Sequence, residues 1–146
     1  MHRNATFETF GGRRTLIRDY AHWSVQVRPK QVTLGALIIL SHSEATAFSA
    51  LPAEAFAELA TVVKDAEAVC AQTFANAKIN YLMLMMVDPH VHFHVLPRYA
   101  APVMFEGTAY TDPGWPGQPV LTVSEGLADP GAVANRLRAV WPKSIA

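Results

Sequence analysis

An α+β fold with a largely antiparallel sheet follows from three features of the sequence. Short runs rich in β-branched and aromatic residues flank one long amphipathic segment. Two strand-like runs are joined through Asp-Pro, and a second amphipathic stretch closes the chain. Strands, a long helix, a hairpin, an irregular segment and a helix, in that order, are best housed in one domain of residues 1–146. Its core spans about 14–100.

Leu16–Arg28 predicts one or two strands with a bend near Asp19 and Ala21, and Arg28-Pro29-Lys30 marks a turn. Gly35–Leu40 is a continuous apolar run of strand length, as expected of a strand buried on both faces. Pro52–Ala75 predicts the long helix. Phe56, Leu59, Val63, Val69 and Phe74 form its apolar stripe, with Ala60, Ala66 and Cys70 filling it. Pro52 suits the first turn and Glu54 complements the positive helix end. Lys78–Met86 and His90–Leu96 then predict a tight antiparallel hairpin turning at Val87-Asp88-Pro89, its second strand ended by Pro97. The Pro- and Gly-rich residues 100–120 predict an ordered loop holding Tyr110 and Trp115. Asp129 as N-cap and Pro130 at the first helical position open a C-terminal helix over about 129–141. Its stripe is Val133, Leu137, Val140 and Trp141, and Pro142 stops it.

Composition narrows the function. Twelve basic residues balance twelve acidic ones, so no long-range field draws the protein to nucleic acid or an anionic membrane. The longest apolar runs are far too short to span a bilayer, and the N-terminus lacks a signal-like apolar core. The single cysteine, Cys70, falls on the helix stripe as a small core residue, which fits a reducing cytoplasm.

The chemistry concentrates in HVHFHVL. Three of the six histidines, His90, His92 and His94, alternate with apolar residues, so a strand projects all three from one face. Val91, Phe93 and Val95 face the other way, into a core. His2, His22 and His42 are expected to be ordinary satisfied polar residues. Three imidazoles on one face need a partner for every buried ring nitrogen, a cost that stability alone does not explain. A metal site is one reading, since imidazole is a common ligand, but the outer two would stand roughly 13 Å apart on a straight strand. Asp88 and His42 are the further ligands available to it. The other reading is nucleophilic attack on a phosphate by neutral imidazole. His92 is then the natural nucleophile, having a donor ring on each side to hold the phosphate oxygens.

This run resembles the signature of the histidine-triad (HIT) family, supported by Asn80-Tyr81 before it and Pro97-Arg98 after it, over roughly Trp23 to Arg98. The tail FEGTAYTDPGWPGQP resembles that of a less characterised bacterial group within the family. The resemblance implies a HIT-like fold of about five strands. It also implies a homodimer extending the sheet across two subunits, and nucleotidyl hydrolase or transferase chemistry on nucleoside phosphoramidates or dinucleoside polyphosphates. By position, His92 is the nucleophile, His90 orients it and His94 contacts the phosphate. No cofactor or metal is required for the attack. A nucleotide-binding module with little turnover, or a metal-binding protein using the same histidines, are the alternatives.

The sequence departs from the family pattern in its surroundings. A histidine usual after the strand-opening glycine is Ala36, and the proline before that glycine is Leu34. An Asp or Asn contacting the ribose would fall near Arg28, with Gln26 the nearest uncharged polar residue. Both are expected to bind substrate. Arg98, just past the triad, is a candidate to steer the phosphate through its guanidinium fork. The usual Gly-rich phosphate loop is reduced to Val87-Asp88-Pro89, where Asp88 brings a negative charge. Met83, Met85 and Met86 are expected to pack in the core or a dimer interface.

Overall fold

The structure, a computed structural model, describes residues 3–143; His2 lies outside them. Five strands form one antiparallel sheet in the order β1-β2-β3-β5-β4. They are β1 (Leu16–Asp19), β2 (Trp23–Val27), β3 (Leu37–Ser41), β4 (Lys78–Leu82) and β5 (His92–Arg98). A five-residue helix α1 (Ala5–Thr9) opens the chain. The long helix α2 (Ala53–Phe74) connects β3 to β4, and α3 (Pro130–Val140) lies at the C-terminal end. Asp129 caps α3 by accepting from the Ala132 N–H, with Pro130 in the first turn, as the sequence predicts. No helix among the described residues is long and apolar enough to cross a membrane.

The alternation of the strands sorts their residues onto two faces. Trp23, Val25, Val27, Leu37, Ile39, Val91 and Val95 meet α2 and α3 in the main core. Each such fully buried aliphatic side chain contributes roughly 1.5–3 kcal/mol of transfer free energy. α2 lies close because Ala55, Ala66 and Cys70 are small where it touches the sheet, and the Trp23 indole donates to Ala55 O at 2.8 Å. Burial, with Glu67 nearby, pushes the Cys70 thiol up to about 12, so it is an inert core residue. The opposite face carries Ile38 and Leu40, covered by Phe7 of α1, beside a second cluster of Val32, Ala36 and Leu96.

Four local expectations are corrected. The buried stripe of α2 is Ala55, Val62, Ala66, Val69, Cys70 and Phe74; Ala60 is exposed. Phe56 is 40 % exposed and stacks on Phe48 at the surface, at 5.2 Å between ring centroids. On α3, Val133 and Leu137 are buried and Trp141 caps the helix, but Val140 points out. Third, β4 ends at Leu82, and residues 83–91 form a loop rather than a tight Asp-Pro turn. Met85 takes a left-handed φ of 50° that no strand accommodates. Met83 and Met85 pack on the core while Met86 is 85 % exposed. Fourth, Pro97 lies within β5, which continues to Arg98. A proline is tolerated there because pairing with β3 ends at Val95, leaving that stretch a single neighbour, β4. The Pro/Gly-rich segment also contains a small hairpin, β6 (Val103–Phe105) with β7 (Thr108–Tyr110), turning at Glu106-Gly107.

Gly35 precedes β3 with φ of +84°, and a Cβ there would stand 2.6 Å from the Phe74 ring at the end of α2. Gly35→Ala is therefore expected to lower stability by about 1–3 kcal/mol. Urea unfolding monitored by tryptophan fluorescence measures it, and an unchanged midpoint would contradict this packing.

Candidate active site

β5 is central, between β3 and β4, with Leu40 opposite His92 and both Ile38 and Leu82 opposite His94. Since Val91 and Val95 are committed to the main core, His92 and His94 must project from the other face. Their rings meet edge to face with centroids 5.0 Å apart. Phe10, which follows α1, packs against both, at 5.4 Å from His92 and 5.8 Å from His94. His92 is 2 % exposed and His94 8 %.

The first histidine departs from the expected single strand face. His90 precedes β5, in the loop, and its ring spans to two other segments. Nδ1 lies 2.8 Å from Thr6 Oγ1 of α1, and Nε2 lies 3.3 Å from Glu44 Oε1. Its main chain serves the next histidine, because His90 O is 2.7 Å from His92 Nδ1. A carbonyl only accepts, so His92 Nδ1 carries the hydrogen. In the neutral ring the lone pair is then on Nε2.

His94 has the opposite tautomer. Arg28 Nε donates to His94 Nδ1 at 3.2 Å, and a guanidinium only donates, so the neutral His94 holds its hydrogen on Nε2. Burial lowers the His94 pKa to about 4, helped by the positive charge of Arg28 and by His92. The two neighbouring rings thus present one nucleophilic lone pair and one N–H donor. Arg28 also donates to Lys30 O at 2.8 Å, and burial lowers its own pKa.

The other two expected substrate contacts, Gln26 and Arg98, are bonded to protein groups. Gln26 is fully buried, its Nε2 facing Phe7 O, Gly12 O and Thr15 Oγ1. It tethers the N-terminal segment to β2 on the triad face of the sheet, in the cross-strand row Gln26–Ile38–His94. Arg98 lies four residues beyond His94, roughly 13 Å along the strand. Its guanidinium is buried on Asp112 through two bonds of 2.6 and 3.1 Å, on Asn80 Oδ1 at 2.6 Å and on Gly117 O at 2.9 Å. With Nε and both Nη atoms bonded to protein, it anchors the 112–117 segment. His42 bonds Ser24 Oγ at 2.9 Å near Asp19, as expected of a satisfied structural histidine.

Thr6, Phe10 and Glu44 enter the site with no signal in the sequence. They come from segments far from the triad in the chain, and only the docking of α1 brings two of them there. Asn4 secures that docking, capping α1 and donating to Ser41 O and Ser43 O, each at 2.8 Å. Among the described residues, no group of three His, Cys, Asp or Glu side chains is arranged to hold a metal ion. An open cleft of about 770 Å³ runs along β4 beneath residues 115–119, Trp115 among its lining residues. It ends at Leu82, the β4 neighbour of His94.

A family model described as HIT domain matches residues 17–101. Solved structures share the fold. A histidine triad protein from Sinorhizobium meliloti aligns at a TM-score of 0.70 and 18 % identity, covering 94 % of this chain and 95 % of that one. A histidine triad protein from Bradyrhizobium japonicum aligns at 0.68 and 18 %, covering 94 % and 96 %. A hypothetical histidine triad nucleotide-binding protein from Sulfolobus tokodaii aligns at 0.66 and 14 %, covering 86 % and 81 %. Comparison with curated protein sequences gives no match.

The low proton affinity of His94 sets a direction for stability. Between its unfolded value of 6.5 and about 4, the unfolded chain binds a proton that the folded ring does not. Stability is full above 6.5 and falls as pH drops through this window, by about 1–3 kcal/mol. The lowered pKa of His42 acts in the same direction. Denaturation midpoints measured across this range should flatten in His94→Asn. An equal slope in that variant would show that His94 is not responsible.

Proposed function

The chain belongs to the HIT domain family, whose model spans more than half of it, and on that premise we propose that it is a nucleotidyl hydrolase or transferase acting through His92. The observation that carries this reading is the bond from His92 Nδ1 to His90 O, which leaves the Nε2 lone pair as the nucleophile. In the proposed reaction, Nε2 attacks the α-phosphorus of a nucleoside phosphoramidate or dinucleoside polyphosphate. A P–N bond forms and the bond to the leaving group breaks, the leaving group departing with the electron pair and taking a proton from water. Water or another acceptor then attacks the phosphorus, releases the nucleotide and restores the ring. His94 donates from Nε2 to a phosphate oxygen, and His90 orients His92 through its main-chain carbonyl. The attack needs no metal ion. The buried, unpaired Cys70 suits a reducing compartment such as the cytoplasm.

A second reading, a nucleotide-binding module with little turnover, is favoured by the 2 % exposure of His92 beneath Phe10. Incubation with adenosine phosphoramidate and diadenosine polyphosphates separates the two. The enzyme releases AMP, His92→Ala reduces release to background, and a quenched sample carries a nucleotide adduct on His92 by intact mass and peptide mapping. Tight nucleotide binding without product or adduct, unaltered in His92→Ala, would establish the binding module instead.

We also propose a homodimer that extends the sheet through β4. The other edge strand, β1, is partly covered, since Arg138 of α3 donates to Leu16 O at 2.8 Å and Arg14 O at 2.6 Å. Sedimentation equilibrium should give twice the chain mass at micromolar concentration; a monomer there rejects it.

A further inference from the structure

We propose that Arg28 is the positioning residue of His94, holding the His94 proton on Nε2 and setting a fixed positive charge beside the phosphate subsite. The inference rests on the phosphate-transfer reading of the triad for its catalytic meaning, but its physical content is a contact between two side chains.

Arg28 directly follows β2, and its N–H donates to Ala36 O at 2.9 Å, which makes Ala36 its neighbour at the start of β3. His94 is on β5, one strand further, so the guanidinium reaches across the full width of β3. Two strand spacings are roughly 10 Å, within the combined reach of an extended arginine and an imidazole. The methyl group of Ala36, on that same face with Val32 and Leu96, leaves the crossing open. A larger residue there would occupy the path. Side-chain hydrogen bonds brace the turn after β2. Arg28 Nη1 donates to Lys30 O, and Gln31 Nε2 donates to Arg28 O and Ala36 O, each at 2.8 Å.

The consequence is chemical. An unheld imidazole exchanges its proton between its two nitrogens, and in a buried site either form is costly without a partner. A guanidinium on Nδ1 excludes one tautomer outright. It directs the N–H of His94 away from β2 while His92, bonded to the His90 carbonyl, has its lone pair on the corresponding atom. The charged and titratable groups facing His94 are Arg28 from the end of β2 and His92 from its own strand. The other packed neighbours, Phe10 and Leu82, are uncharged. Arg28 therefore supplies the positive charge next to the ring, and the imidazole itself remains neutral through physiological pH.

The test is long-range ¹H–¹⁵N imidazole spectroscopy on the full-length protein, titrated with acid, with Arg28→Ala, Arg28→Lys and Arg28→Gln beside wild type. Wild type should show His94 as the pure Nε2–H form, titrating far below an ordinary histidine. Arg28→Ala should populate the Nδ1–H form and raise the midpoint part of the way towards 6.5, since burial, the larger cause, remains. His92 should keep its Nδ1–H signature. Arg28→Lys should restore the low midpoint more fully than Arg28→Gln, because it retains the charge. If Arg28→Ala fails to fold, the Lys and Gln variants alone decide. Should wild type release AMP, Arg28→Ala should lose roughly 10²-fold in kcat with little change in KM, and its acid limb should move up in pH. A His94 tautomer and midpoint identical in wild type and the variants overturns the proposal. Absence of nucleotide release would instead sink the enzymatic reading and leave the spectroscopic result to stand on its own.

Discussion

The rest of the molecule depends on β5 having a hydrogen-bonded partner on each edge and a different demand on each face. With β3 on one side and β4 on the other, the strand cannot slip by one residue without driving imidazoles into the aliphatic core and valines onto the triad face. The burial of Val91 and Val95 in the core that α2 also lines therefore does more than stabilise. It holds His92 and His94 at fixed positions opposite Leu40 and Ile38, and those aliphatic neighbours keep water from the flanks of both rings. α1 completes the enclosure, tied down by Asn4, Gln26 and the Thr6–His90 contact.

Burying two imidazoles side by side is costly unless each ring nitrogen has a defined partner. The protein meets this with one acceptor and one donor. A main-chain carbonyl takes the Nδ1 hydrogen of His92, and a guanidinium donates to the Nδ1 lone pair of His94. What remains pointing away from these partners is one lone pair and one N–H, a combination suited to attacking an electrophile while holding an oxygen bonded to it. Low local polarity strengthens both interactions. Zero net charge of the chain is no obstacle, because the field that matters is that of one arginine a hydrogen bond away.

Where the fold departs from the local pattern of the sequence, the causes are physical. KINYLMLMM reads as one strand, yet β4 stops at Leu82, and Met85 further on takes a left-handed conformation through which no strand could continue. Pro97 reads as a terminator, but a strand can keep a proline where its neighbour on one side has already ended. Phe56 looks like the anchor of the long helix, whereas close approach to the sheet requires Ala55, so the larger ring is displaced to the surface beside Phe48. Arg98 and Gln26 are polar residues near the triad in sequence or register, and no local pattern reveals that Asp112 or the N-terminal main chain engages them first.

By itself, the sequence determined the α+β order of elements, the long helix and the capped C-terminal helix. It also determined that His92 and His94 share one face of a strand, because periodicity is a local property of the chain. Tertiary structure alone decided which nitrogen of each ring is free. That choice is made by partners the fold supplies: Arg28 across β3 for His94, and for His92 the carbonyl of a residue whose own ring is held by Thr6 and Glu44. The identity of a histidine is written in the sequence. The location of its proton follows from what the fold brings within hydrogen-bonding distance.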